Sequence, residues 1–216
     1  MTDFAALREL MVERQIKARG LNDPLLLAAL RKVPRERFVS PSYGAQAYGD
    51  HPLPIEAGQT ISQPYIVALM IDAAAIKPGS RVLEVGAGSG YAAAVISRIA
   101  ADVIAIERQL DLVTSARERL AQLGYVNVRI VAGDGTKGWP DDAPYDAILA
   151  AASGSHVPQP LIDQLAPGGR LVMPIGEPNW VQQLIKVTKA ADGSIEQSDL
   201  GAVRFVPLIG EEGWRG

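Results

Sequence analysis

Three carboxylates stand at the ends of short apolar segments of this chain. Glu84 is the fourth residue of RVLEV, Glu107 follows DVIAI, and Asp134 comes shortly after NVRIV. The carboxyl ends of parallel strands converge on one crevice of an open α/β sheet, so we expect these side chains to lie close together. Three acids in one crevice would repel a diphosphate and favour a cationic ligand that carries hydroxyls and an amine.

A glycine-rich turn follows the first of these segments. Gly86, Gly88 and Gly90 have the spacing G-x-G-x-G, and glycine lets the backbone turn sharply and approach a ligand. The dinucleotide fingerprint has a glycine at its sixth position, where this chain has Tyr91. Alone, the turn is compatible with a tight strand–helix connection that binds nothing. Together with the acids, it favours S-adenosyl-L-methionine over a dinucleotide.

Each acid has a predicted partner on that ligand. Glu107 lies about one helical crossover after the glycines, where a carboxylate can accept both ribose hydroxyl protons. We expect Asp134 to accept a hydrogen bond from the adenine amine, and Glu84 to face the amino group of the methionine moiety.

The stretch GQTISQP contains Ser62, for which two roles are open. It could cap the helix that starts near Pro64 by accepting from the Tyr65 N–H, or it could hold an acceptor carboxylate. The only histidines, His51 and His156, do not indicate a nucleophile–base pair or a metal site. A carboxylate is ionised at neutral pH and needs no base to attack a methyl group. We predict that Ser62 does both.

The elements that position these residues alternate between strands and helices. Four short β-rich segments, with helical stretches at 90–100 and 109–122, predict an α/β fold with a doubly wound, Rossmann-like sheet that is mostly parallel. WVQQLIKVTKA and VRFVPLIG, around the turn signal ADGS, predict a C-terminal antiparallel hairpin. Helices over 4–18 and from Pro24 to before Pro34 predict an N-terminal helical extension.

We expect one methyltransferase domain over 1–216. Residues 1–62 would form the helical extension and substrate-loop region, and 63–216 the S-adenosylmethionine-binding core.

The composition of the chain limits the classes of partner that we expect. The chain has 216 residues, a net charge of −3 and no block of Lys or Arg, so we expect no nucleic-acid partner. It has no cysteine, and we expect no metal. Its most apolar segment, YIVALMIDAAAI, is too short to span a bilayer, and its N-terminus lacks the pattern of a signal peptide. We therefore expect no membrane association and a cytoplasmic location.

Several motifs resemble those of protein-L-isoaspartate O-methyltransferases, which are class I S-adenosylmethionine-dependent enzymes. They are MVERQIKARG, VPRERFV, YGDHPLPI, GQTISQP, VLEVGAGSGY, IER, GDG and VRFVPL, in this order and over nearly the whole chain. The glycine motif is general to class I methyltransferases. PLPI with QTISQP, and VRFVPL near the C-terminus, are far more specific to this family.

The resemblance implies transfer of a methyl group to the free α-carboxylate of L-isoaspartyl residues in damaged proteins and peptides, an activity classed as protein-L-isoaspartate (D-aspartate) O-methyltransferase. It implies that Ser62 orients this carboxylate, that Thr60 and Ile61 assist, and that Val206 lies beside the substrate backbone. The positions that match donor-binding residues of the family are Gly86, Gly88, Glu107, Asp134 and Gly135. We expect a monomer. One departure is AAASGSHVP, where the family commonly has an alanine pair and then proline; we expect this loop to border the acceptor site.

Other functions remain open from the sequence. A class I methyltransferase with a different small-molecule or protein acceptor would keep the three acids and give GQTISQP no special role. A noncatalytic module would bind the nucleoside without turnover. A dinucleotide oxidoreductase is disfavoured by Tyr91 and by the acids.

Overall fold

A seven-stranded sheet and a separate two-stranded hairpin organise the chain. The computed structural model describes residues 2–215. The hairpin consists of β1 (Leu53–Pro54) and β2 (Thr60–Ile61). The strands of the sheet are β3 (Arg81–Val85), β4 (Asp102–Glu107), β5 (Val128–Ala132), β6 (Tyr145–Ala150), β7 (Leu165–Ile175), β8 (Gln182–Lys189) and β9 (Ile195–Val203).

The strand order is β5-β4-β3-β6-β7-β8-β9. The pairs from β5 to β7 are parallel, and β8 and β9 add to the edge as an antiparallel hairpin. The expected Rossmann-like sheet, mostly parallel with a C-terminal hairpin, is therefore confirmed. The chain runs outward from β3 to β5 and then returns to β6 on the other side of β3. Such a reversal of strand order opens a ligand crevice at the carboxyl end of the strands.

The parallel strands are mainly apolar along their interior positions because both faces of the sheet are covered. Val82 and Val103 belong to one hydrophobic cluster, while their neighbours Leu83 and Ile104 belong to another. Successive side chains of a strand point to opposite faces, so the two clusters lie on the two sides of the sheet. This double burial produces the continuous β-rich segments seen in the sequence.

Apart from the first, the helices predicted from the sequence begin and end close to the expected positions. Asp23 caps the second helix, as its carboxylate accepts from the N–H groups of Leu25 and Leu26 at 2.7 and 3.0 Å. The helices are α1 (Phe4–Met11), α2 (Pro24–Lys32), α3 (Pro64–Ala74), α4 (Tyr91–Ser97), α5 (Leu110–Gln122) and α6 (Gln159–Asp163).

The N-terminal helical extension is present, although its first helix is shorter than expected. After α1 the chain continues as a wider π turn at Val12–Ile16 and a 3-10 turn at Lys17–Arg19, and it stops at Gly20 with φ 94°. Met11 and Leu30 are buried in the same cluster as Val82 of the sheet.

The predicted second strand of the C-terminal hairpin was placed too late. The strand is β9, and VRFVPLIG leaves the sheet after Val203. The Gln182 side chain accepts from the Phe205 N–H at 2.7 Å and donates to the Phe205 carbonyl at 3.2 Å, so it replaces a strand partner. The polar sequence of β9 concealed the strand, because β9 lies at the sheet edge and is mostly exposed.

The most apolar helix, α3, has 11 residues and is therefore about 17 Å long. In residues 2–215, no helix combines the length and apolar character required to cross a membrane. The acidic and histidine side chains of this same region form no group of three that could hold a metal ion.

Candidate active site

The glycine loop joins β3 to α4 at the reversal point of the sheet. Gly86, Gly88 and Gly90 all have positive φ, at 88°, 53° and 86°, which L side chains rarely adopt. A Cβ on Gly90 would also come within 3.3 Å of Leu120 in α5. The loop therefore needs glycine for its path and for its packing, and it leaves Gly86 and Gly88 lining cavities.

Glu107 fastens this loop to the end of β4. One carboxylate oxygen accepts from the Gly88 N–H at 3.0 Å, and the other accepts from the Gln109 N–H at 2.9 Å. The side chain is only 7% exposed and lines a cavity of about 200 Å³ together with Gly86 and Gly135. Each oxygen of a carboxylate accepts more than one hydrogen bond, so the two oxygens retain acceptor capacity on the cavity side.

Glu84 is the most perturbed acid of the crevice. It is 2% exposed, and one of its oxygens has no hydrogen-bond partner among the described residues. Burial, reinforced by the negative charge of Glu107, raises the pKa of Glu84 from 4.5 to about 8. Glu84 lines a small cavity with Ile61, Ser62 and Gly88. An unpaired carboxyl oxygen in a cavity fits a ligand that brings a cationic donor.

Asp134 differs from Glu84 and Glu107 because it lines none of the three cavities, and its own chain supplies hydrogen-bond partners to both of its oxygens. One accepts from the Thr136 N–H and hydroxyl at 2.9 and 2.7 Å, and the other accepts from the Glu211 N–H at 2.8 Å. Burial opposes ionisation, but these hydrogen bonds outweigh it and lower the pKa of Asp134 below its ordinary value. The residue lining the cavity is its neighbour Gly135, where a Cβ would collide with Val85. That Asp134 accepts a hydrogen bond from the adenine amine stays a prediction.

A groove of about 880 Å³ opens on the other side of Ser62. Thr60 and Ser62 line both this groove and the cavities of Glu84 and Glu107, because they lie at the end of the β1–β2 hairpin, where Thr60 pairs with Pro54. Val206 lines the groove as well, whereas Ile61 is 5% exposed and faces the Glu84 cavity. The structure thus brings Glu84, Glu107, Thr60 and Ser62 to adjoining cavities, whereas Asp134 and Gly90 line none of the three.

The prediction that Ser62 caps α3 was wrong. Gln63 is the N-cap residue, and the Tyr65 N–H donates to the carboxylate of Asp50 at 3.0 Å instead. Within residues 2–215, the Ser62 hydroxyl makes no hydrogen bond to the protein. The backbone of Ser62 is nevertheless held, since its carbonyl accepts from Arg35 at 2.8 Å. The hydroxyl is therefore available to a ligand.

The loop AAASGSHVP, which departs from the family pattern, holds the segment VRFVPL that lines the acceptor groove. The Ser153 N–H donates to the Val206 carbonyl at 2.8 Å, and the Ser153 carbonyl accepts from the Leu208 N–H at 2.8 Å. Its carbonyl also accepts from the indole N–H of Trp214 at 2.9 Å. Ser153 is fully buried, and Ala151 is the residue of this loop that lines the groove. The loop thus holds VRFVPL in place.

Sequence reasoning missed Arg35, Asp50 and Gln182. Arg35 and Asp50 lie inside the quoted motifs VPRERFV and YGDHPLPI, which were the only signal for them. Their partners are backbone groups distant in sequence, and no local pattern specifies such contacts.

Comparisons with known proteins agree with this geometry. The family model described as Protein-L-isoaspartate(D-aspartate) O-methyltransferase (PCMT) matches residues 6–213. Protein-L-isoaspartate O-methyltransferase 1 of Rhodopseudomonas palustris is 56% identical over 99% of this chain and 87% of its own length. Protein-L-isoaspartate O-methyltransferase of Methylorubrum populi is also 56% identical, over 97% of both chains.

A solved structure shares the fold over nearly its whole length. It is a Plasmodium falciparum protein described as a protein-L-isoaspartate O-methyltransferase in complex with S-adenosyl-L-homocysteine, with a TM-score of 0.80 and 30% identity. The match covers 94% of this chain and 98% of that one. With this coverage by family, sequence and structure, the chain belongs to the protein-L-isoaspartate(D-aspartate) O-methyltransferase family.

Proposed function

We propose that this protein repairs damaged proteins by methylating the free α-carboxylate of L-isoaspartyl residues, with S-adenosyl-L-methionine as the methyl donor. The observation that carries the proposal is the position of Ser62. Its hydroxyl has no partner among residues 2–215, and the residue lies between the 880 Å³ groove and the cavities of Glu84 and Glu107. A residue shared by both spaces can hold an acceptor next to a donor.

The donor side has the chemistry that this cofactor requires. S-adenosyl-L-methionine supplies a methyl group on a positively charged sulfur. Glu107 would accept the ribose hydroxyls with its remaining lone pairs, and Glu84 would pair with the amino group. Gly86, Gly88 and Gly135 line the cavities and let the ligand approach the backbone, and Gly90 gives the loop its path. Asp134 would contribute by fixing the loop of Gly135, and its oxygen that accepts from the Glu211 N–H has capacity for a second hydrogen bond from the adenine amine.

The acceptor side needs hydrogen-bond donors but no base. An α-carboxylate is ionised at neutral pH, so its oxygen can attack the methyl carbon directly while the carbon–sulfur bond breaks and sulfur keeps the electron pair. Ser62 would donate to the carboxylate, with Thr60 and Ile61 shaping the wall and Val206 lying beside the peptide backbone. Catalysis would arise chiefly from holding oxygen, carbon and sulfur in line.

The methyl ester product explains the repair. Esterification creates a better leaving group, so the following backbone nitrogen can attack the ester carbonyl, expel methanol and close a succinimide, which hydrolyses in part to normal aspartate. Proteins and peptides with isoaspartyl residues are therefore the proposed partners, and D-aspartyl residues are a second substrate class named by the family. We also propose that 1–216 works as one domain, because extension and sheet share one hydrophobic cluster. A monomer in the cytoplasm is a further part of the proposal.

A paired-peptide assay tests the function. The protein is incubated with labelled S-adenosyl-L-methionine and an isoaspartyl peptide, or with the same peptide containing normal aspartate. We expect base-labile label on the isoaspartyl peptide alone. Equal labelling of both peptides, or of neither, would overturn the proposal and favour a different acceptor.

A further inference from the structure

We propose that Arg35 is a positioning residue that fixes the acceptor-binding turn at Ser62 and supplies the positive charge that attracts the acceptor carboxylate. The proposal rests on the proposed function, because it concerns the substrate side of the same site. Arg35 lies in the 3-10 turn Arg35–Phe38 of the N-terminal extension and does not line the groove itself. Its influence therefore passes through the backbone and through its charge.

The Arg35 guanidinium is built into the protein by contacts on several sides. The side chain is 0% exposed; its Nε donates to the Ala47 carbonyl at 2.7 Å, and one Nη donates to the Ser62 carbonyl at 2.8 Å. The group stacks over the ring of Tyr91 with 4.7 Å from Cζ to the ring centroid. It thus joins the extension, the start of α4 and the acceptor turn.

This buried cation has no carboxylate in direct contact. Within residues 2–215, no ion pair includes Arg35, the charge of Asp50 acts on it from a greater distance, and its second Nη has no hydrogen-bond partner. Burial lowers the pKa of Arg35, yet arginine stays protonated in proteins. A buried charge without a counterion is costly, and an anion bound nearby would offset that cost.

The contact with Ser62 also determines which donors face the acceptor. A trans peptide is planar, so the carbonyl of Ser62 and the N–H of Gln63 point in opposite directions. Because Arg35 holds the carbonyl, the Gln63 N–H is turned away from Arg35. Gln63 lines the groove, and its N–H donates to no described residue. The turn therefore presents the Ser62 hydroxyl and the Gln63 N–H to one anion.

The test separates the charge of Arg35 from its structural role. R35Q removes the charge. R35K keeps the charge, but its single ammonium group cannot donate to the carbonyls of Ala47 and Ser62 in the geometry of the planar guanidinium. For each variant we would measure KM and kcat for an isoaspartyl peptide, and the inhibition constant of the same peptide with an α-carboxamide. Dissociation constants for S-adenosyl-L-homocysteine and melting temperatures report on donor binding and folding.

We expect R35Q to lose about tenfold in its preference for carboxylate over carboxamide, and R35K to keep the preference while kcat falls. Affinity for S-adenosyl-L-homocysteine should stay within about twofold in both. The matched control is R117M, because Arg117 likewise donates to a backbone carbonyl, that of Ile130, and lines none of the three cavities. It should leave the preference unchanged.

Equal loss of affinity for both peptide forms in R35Q would overturn the charge role, and unchanged kinetics in both variants would overturn the whole inference. If R35Q fails to fold, R35K decides: a retained preference with lower kcat supports the proposal, and a lost preference refutes it. Failure of the proposed function would look different, since the wild-type protein would then not discriminate the isoaspartyl peptide from its aspartyl twin.

Discussion

Replacing Glu84 by glutamine should uncouple donor binding from proton release. In the ligand-free protein, burial and the charge of Glu107 hold the pKa of Glu84 at about 8, so the group is mostly neutral at pH 7. An ammonium group placed beside the unpaired oxygen of Glu84 would favour the ionised carboxylate. Binding of S-adenosyl-L-homocysteine at neutral pH should therefore expel a proton from the site, and E84Q has none to expel.

The size of the effect follows from the pKa. With the pKa of Glu84 at about 8, the protonated fraction is about 0.9 at pH 7 and about 0.5 at pH 8. The wild-type protein should therefore release up to about 0.9 protons per bound ligand at pH 7 and up to about 0.5 at pH 8. These values are the difference between wild type and E84Q, because the subtraction removes protons released by the ligand's own amino group. Affinity of the wild type should also rise from pH 6 to pH 8.

Isothermal titration calorimetry in buffers of different ionisation enthalpy measures this proton count directly. The slope of observed enthalpy against buffer enthalpy should be steeper for wild type than for E84Q at pH 7, and the difference should shrink at pH 8. E84Q should have a higher melting temperature than the wild type at pH 7, because ionisation of Glu84 in the unfolded chain destabilises the wild-type protein and glutamine does not ionise. Equal slopes for the two proteins at pH 7 would refute the reasoning.

Other predictions concern the neighbouring residues. S62A should lower kcat/KM for an isoaspartyl peptide by about 10- to 100-fold, as expected for one lost hydrogen bond to a charged group, while the melting temperature stays constant; a lower melting temperature with unchanged turnover would contradict this. D50A should cost about 1 kcal/mol of unfolding free energy, because the Tyr65 N–H loses its cap, and denaturant unfolding would measure it. E107A should raise KM for S-adenosyl-L-methionine more than it lowers kcat, and steady-state kinetics with a saturating peptide would check this. The unfolding free energy should fall as pH rises from 4.5 to about 8, because Glu84 has a higher pKa in the folded protein than in the unfolded chain. The E84Q variant should show a flatter dependence on pH, and denaturant unfolding at several pH values would measure it.

The sequence by itself determined the parallel part of the sheet. RVLEV and YDAILA coincide with β3 and β6, because strands buried on both faces are mainly apolar and such segments are visible locally. Asp23 and Pro24 likewise specified the start of α2, since capping depends on neighbouring residues. Glu84, Glu107 and the glycines could be assigned to one crevice because strand ends in this fold converge.

Only the tertiary structure decided what depends on distant partners. Ser62 was expected to cap α3 by accepting from the Tyr65 N–H. The carboxylate of Asp50, 15 residues before Tyr65, accepts this hydrogen bond instead. Asp134 is bound by Glu211, 77 residues later, and the Ser62 carbonyl by Arg35, 27 residues earlier. Hydrogen bonds of this kind depend on how the chain folds back on itself, which local propensity and spacing do not encode. The exposed edge strand β9 was misplaced for a related reason: its stability comes from pairing with β8 and requires no apolar pattern.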